Sequence, residues 1–111
     1  MDTEVNNRRM VLALLLIYKG DPLNNSYKLV RIFEHKFRTN PIYILKELRE
    51  KNCVEYELVN GVHFYNITDL GKKFIKQEYA ISLEQLLKEH PNESEIIKSL
   101  FHSFDIKDVS D

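Results

Sequence analysis

The sequence predicts a mainly helical α+β domain with one small antiparallel β-hairpin. Two β-rich runs, 53–59 and 62–67, are separated by Asn60-Gly61 alone, the dipeptide that tolerates the positive φ angles of a type I′ turn. Helical spacing flanks them, with Ile44, Leu45 and Leu48 on one face before the hairpin and Leu70, Phe74 and Ile75 after it. With 111 residues, 43% hydrophobic and 30% charged, the chain makes a single domain with a core large enough to need no disulfide or metal.

Each element has its own signals. Residues 2–6 are polar and are expected to fray. A first helix is expected over 8–19, with Asn7 as cap, Gly20 as stop and Pro22 just beyond. The run from Met10 to Tyr18 is apolar all round, so it must be covered on all sides, within the domain or by a second subunit. It is shorter than the roughly 20 residues a bilayer demands and is followed by no small-residue cleavage site, so a soluble protein without a signal peptide is expected. A second helix over 26–37 places Leu29, Val30, Phe33 and Phe37 inward, and residues 38–40 turn the chain into a third helix over about 41–51. Asn40 caps that helix, Pro41 suits its first position, and Lys51-Asn52 ends it.

In the hairpin, two-residue register pairs Val59 with Val62 and Glu57 with Phe64 on one face, and Tyr56 with Tyr65 and Val54 with Ile67 on the other. The second face is expected to point inward, which leaves Val59, Val62 and Phe64 outside; alternatively the strand pair packs under the C-terminal segment. Thr68 then caps the next helix. Two further helices are expected. Ser82 and Gln85 form a capping box with Ile81 and Leu86 as a staple, and Asn92 with Glu95 repeats the box after Pro91. The last helix carries a stripe of Ile97, Leu100, Phe101 and Phe104.

The runs LKELREKNCVEYE and YNITDLGKKFI, in the order helix, hairpin, helix, resemble the winged-helix family of DNA-binding domains, and with the two helices upstream the resemblance covers 8–79. It implies a winged helix-turn-helix with additional C-terminal helices: 1–79 as the core, and 80–111 as an extension within the same compact unit. The third helix would be the recognition helix and 53–67 the wing of a cytoplasmic transcription regulator that binds double-stranded DNA. Tyr43, Lys46, Glu47 and Glu50 fall on the outer face of the third helix, with Ile42 and Arg49 at its margins. Residues implied for DNA are Lys28, Arg31, Arg38, Asn40, Tyr43, Lys46, Arg49, Lys72 and Lys73, with Lys76 as a further phosphate anchor. In this family an added C-terminal helix often pairs with the first helix to make a dimer. Leu12, Leu15, Leu16, Ile97, Leu100, Phe101 and Phe104 are therefore the expected homodimer interface, presenting two recognition helices to successive half-sites; the alternative is that the last helix folds back on the first in a monomer.

Charge pulls the other way. The chain has 16 Lys and Arg against 17 Asp and Glu. Residues 1–77 hold 13 basic and 9 acidic side chains, and 78–111 hold 3 and 8, so a mildly basic core precedes an acidic tail. From Asn52 to Leu70 there is no Lys or Arg, whereas Glu55, Glu57 and Asp69 are acidic. A wing of this kind suits protein better than phosphate, so the alternative function is an interaction module that docks a partner through Val59, Val62 and Phe64.

Catalysis is not expected. The four histidines have no metal-ligand spacing, the three glycines form no phosphate loop, and no Gly-x-Ser-x-Gly elbow occurs. His35 and His63 read as surface residues. Cys53, the single cysteine, is expected to pack as a small apolar residue in a reducing compartment. No cofactor or metal is expected.

Overall fold

Eight consecutive residues, Met10 to Ile17, are all buried, and a helix apolar on every side dictates what surrounds it. A computed structural model describes residues 3–109. Its elements are α1 (Thr3–Lys19), α2 (Ser26–Lys36), α3 (Ile42–Glu50), β1 (Val54–Val59), β2 (Val62–Ile67), α4 (Asp69–Glu89) and α5 (Ser94–His102). The fold is mainly helical with one two-stranded antiparallel hairpin. Helix α1 is central, packed by α4, α5, α3 and β2.

The hairpin has the register expected of it, from Val54 opposite Ile67 to Val59 opposite Val62. Asn60 and Gly61 both take positive φ, 51° and 80°, as a type I′ turn requires. Helix α3 ends in a Schellman closure: Asn52 is left-handed at φ 60°, its N–H donates to the Arg49 carbonyl at 3.1 Å, and the Cys53 N–H donates to Leu48 at 2.9 Å. Thr68 caps α4 by accepting the Gly71 N–H at 3.1 Å, and its hydroxyl donates to the Asn52 carbonyl at 2.6 Å. One threonine thus ties the end of α3 to the start of α4. Cys53 is buried beside this junction, and burial raises its thiol pKa.

Several expectations are corrected. Helix α1 begins at Thr3, so Thr3–Asn6 are helical rather than frayed, while Asp2 lies outside the described residues. Asn7 is inside the helix, not its cap, and donates to Glu78 Oε1 at 2.8 Å; Arg8 pairs with Glu89. These bonds to α4 hold a polar first turn that propensity alone leaves marginal. The box at Ser82 and Gln85 starts no helix, because α4 runs unbroken from Asp69 to Glu89 and buries Ser82. A cap acts only where the chain stops upstream, and nothing between Tyr79 and Ser82 stops it. The division at residue 79/80 consequently falls within one helix. Asn92 caps nothing either: Pro91–Glu93 form a 3-10 turn, and α5 begins at Ser94 without a side-chain cap.

The apolar stripe expected of the last helix is covered inside the chain, although α5 ends at His102 and Phe104 lies just beyond it. Leu12, Leu15, Leu16, Ile97, Leu100, Phe101 and Phe104 are all buried, α5 having folded back on α1 and α4. Tyr79 clamps it, with its ring edge-on to Phe101 at 5.1 Å and its hydroxyl donating to the Phe101 carbonyl at 2.8 Å. The apolar demand that pointed to a second subunit is met without one. Among the described residues no helix is long and apolar enough to cross a membrane.

Candidate nucleic-acid interface

Helix α3 buries Ile44, Leu45 and Leu48, and this single-sided burial forces the rest of its surface outward. Asn40 Oδ1 accepts the Ile42 N–H at 2.9 Å, but α3 begins at Ile42, so Pro41 holds the capping position expected of Asn40 and is not itself the first helical residue. Tyr43 is 75% exposed and Ile42, at the margin of the outer face, 57% exposed. Lys46 and Glu50 are exposed and pair at 3.8 Å; Glu47 is half-buried and pairs with Lys51 at 3.4 Å. These i,i+4 pairs leave the helix surface close to electrically balanced.

Arg49 turns toward the hairpin. Its guanidinium donates to the Tyr65 hydroxyl at 3.3 Å and lies 5.6 Å from the centre of the Tyr56 ring. Burial raises the Tyr65 phenol pKa, and the Arg49 hydrogen bond opposes the rise. His63 is half-buried, stacked on Tyr65 with centroids 6.0 Å apart and edge-on to Tyr56 at 5.5 Å, so it is part of the hairpin's packing and not a plain surface residue.

The expected burial of the hairpin is only half met. Val54 and Tyr65 are buried, but Tyr56 is 54% exposed. Val62 and Phe64 are half-buried, and Val59 is exposed. Phe64 is covered because a segment just before α2 joins the hairpin: Asn25 bridges Phe64, and the Tyr65 N–H donates to the Asn24 carbonyl at 2.8 Å. The sequence alone does not announce this isolated bridge. Its only visible signal is Asn25, which caps α2 by accepting the Lys28 N–H at 2.9 Å.

The remaining basic candidates separate into two groups. Lys28, Arg31 and Arg38 are exposed along α2 and its end, and Arg31 is steadied by Tyr27, to whose hydroxyl it donates at 3.2 Å. Arg38 sits in the left-handed region at φ 54° and turns the chain from α2 into α3. One depression of about 410 Å³ joins Tyr27 and Arg31 to Gly61 and Val62 of the hairpin turn, and a second of about 260 Å³ joins Arg38 to Thr39 and Asn40 at the start of α3. Both include Glu34, so Arg31, Arg38, the hairpin turn and the N-terminus of α3 form one continuous strip.

Lys72 and Lys73 belong to the first turns of α4. Lys73 is exposed. Lys72 is committed elsewhere, bonded to Asp108 at 2.8 Å, and that bond raises the lysine pKa and lowers the carboxyl pKa. Among the described residues no group of three or more His, Cys, Asp or Glu side chains is placed to hold a metal ion. No protein-family model, no curated protein and no solved structure matches this chain.

Proposed function

We infer that the protein is a DNA-binding regulator of winged-helix type, with α3 entering the major groove and the α2–α3 turn and hairpin tip flanking it on the phosphate backbone. The observation that carries this reading is the strip that joins Arg31, Arg38 and the hairpin turn to the N-terminus of α3, beside an outward Tyr43. A helix N-terminus presents free N–H groups and the positive end of its dipole, and Arg38 beside it makes an anchor for phosphate, with Arg31 a second cation nearer the hairpin turn. Tyr43, Ile42 and Lys46 are then the groups that face base edges and sugars. Glu34 and the Lys46–Glu50 pair weaken the positive field, so the affinity expected is modest and strongly dependent on salt.

The test is fluorescence anisotropy of a labelled duplex titrated with the protein from low salt to physiological ionic strength. Micromolar or tighter binding that weakens steeply with salt is expected, and Arg38→Glu or Lys46→Glu should abolish it. Arg38→Gly separates anchoring from folding. Glycine takes φ 54° without the roughly 1 kcal/mol cost that a side chain incurs there, so this variant should be as stable as the parent or slightly more so. It should nevertheless lower the slope of log affinity against log salt by about 1. Absence of binding at low salt would overturn the reading.

A further inference from the structure

The two long edges of the hairpin differ. The outer edge of β2 is closed by the segment before α2, since the Tyr65 N–H donates to Asn24 and the His63 N–H donates to Ser26 Oγ at 3.1 Å. These bonds also set the phase of the ladder. Tyr65 and His63 direct their N–H groups away from β1, so their cross-strand partners Tyr56 and Leu58 direct theirs away from β2. Among the described residues no strand pairs with that side of β1. The strand is exposed from Glu55 to Val59, and Leu58 is 61% exposed.

Open edges are normally blunted by Lys, Pro or a bulge, and β1 has none of them, its register being continuous over all six residues. Its only charges are Glu55 and Glu57, on the face opposite Tyr56 and Leu58. These glutamates select among partners. Antiparallel pairing with β1 of a second copy, centred on Tyr56 or on Glu57, would set glutamate opposite glutamate, which is destabilising. A strand bearing cations at those positions meets no such penalty.

We propose that the free edge of β1 is a docking site for an extended segment of a partner protein in which Lys or Arg alternates with apolar residues. The segment adds as a further strand to the hairpin. Its backbone pairs with the outward N–H and C=O groups of Tyr56 and Leu58, its cations lie beside Glu55 and Glu57, and its apolar side chains cover Leu58 and the Tyr56 ring, whose other side Arg49 holds. The site is distinct from the strip assigned to DNA, and it stands or falls separately.

Two short synthetic peptides, one alternating lysine with valine and one alternating glutamate with valine, are titrated into the isotope-labelled full chain and followed by amide NMR. The lysine peptide should bind at least about tenfold more tightly than the glutamate peptide, shift and protect the Tyr56 and Leu58 amides, and leave α2 unmoved. A Glu55→Lys/Glu57→Lys variant that retains the parent spectrum should reverse the preference. Leu58→Pro, which removes an outward N–H that the internal ladder does not use, should abolish binding. Equal binding of both peptides, or shifts confined to other elements, would overturn the proposal. Protection of the Tyr56 and Leu58 amides that grows with protein concentration alone would overturn it in favour of a second copy.

Discussion

Gly71 shows how one residue fixes a junction between elements. It lies in the first turn of α4, where an alanine would ordinarily improve the helix. Here a Cβ would collide with the Cys53 carbonyl and come within 2.7 Å of Ile67 Cγ1. The obstacle is partly backbone, held by the Thr68 N–H that donates to the same Cys53 oxygen at 3.1 Å, so it cannot swing aside. Gly71→Ala is therefore expected to destabilise the protein by about 1–3 kcal/mol, as overpacking does, despite the gain in propensity. Urea denaturation measures this, and an unchanged midpoint would show that the α4 start can shift off the hairpin. At this scale much was legible beforehand: Asn60-Gly61 acts through its own backbone geometry and Thr68 caps through its own hydroxyl, so both roles can be read from neighbouring residues. Tyr56 and Leu70 were not legible. Both fit an apolar face by spacing, yet Tyr56 is 54% and Leu70 53% exposed, because what covers a face is set by distant elements.

At the scale of elements, α4 carries the largest departure from expectation. Ser82 and Gln85 have the chemistry of a helix start, but a small serine can also be buried within a helix that faces another, and Ser82 is buried in mid-helix. Only the position of α1 distinguishes the two uses, and that position is tertiary information. The far end of α4 offers a pH test. His90 follows its last turn and packs edge-on against Phe37 at 5.1 Å, and burial lowers its pKa from the ordinary 6.5. Glu89 and Glu93 oppose the shift, whereas Arg9 and Arg8 add to it. A depressed folded pKa means that the unfolded chain binds the proton first. The contribution is present above pH 6.5 and is lost as pH falls through the folded value. The melting temperature of the parent should consequently fall more steeply than that of His90→Gln between about pH 7.5 and 5.5. Glu89, held low by the Arg8 hydrogen bond, acts only below its ordinary 4.5 and does not confuse this window. Parallel curves would show that His90 titrates as it does in the unfolded chain.

For the whole molecule, charge and hydrophobic burial lead to the same conclusion: the C-terminal segment completes the core. Arg8 pairs with Glu89 and Lys72 with Asp108, so the acidic tail neutralises part of the basic surplus of residues 1–77 and does not simply face away from it. The aromatic stripe of α5 closes over α1 in the same way. Phe101 is fully buried, with Tyr79 bonded to its carbonyl. Phe101→Ala should cost about 3–5 kcal/mol, a large share of the 5–15 kcal/mol that holds a domain of this size together. A dimer interface built from the same residues would also be sensitive to this substitution, so the size of the loss does not distinguish the two arrangements; the dependence on protein concentration does. Because unfolding of a dimer releases two chains, its midpoint rises with concentration, whereas a core closed within one chain gives a midpoint that concentration leaves unchanged. Urea midpoints of the parent at two concentrations about a hundredfold apart should coincide, and this comparison decides the matter even if Phe101→Ala fails to fold. A midpoint that climbs with concentration would place a second subunit in the folded state and overturn closure of the core within one chain.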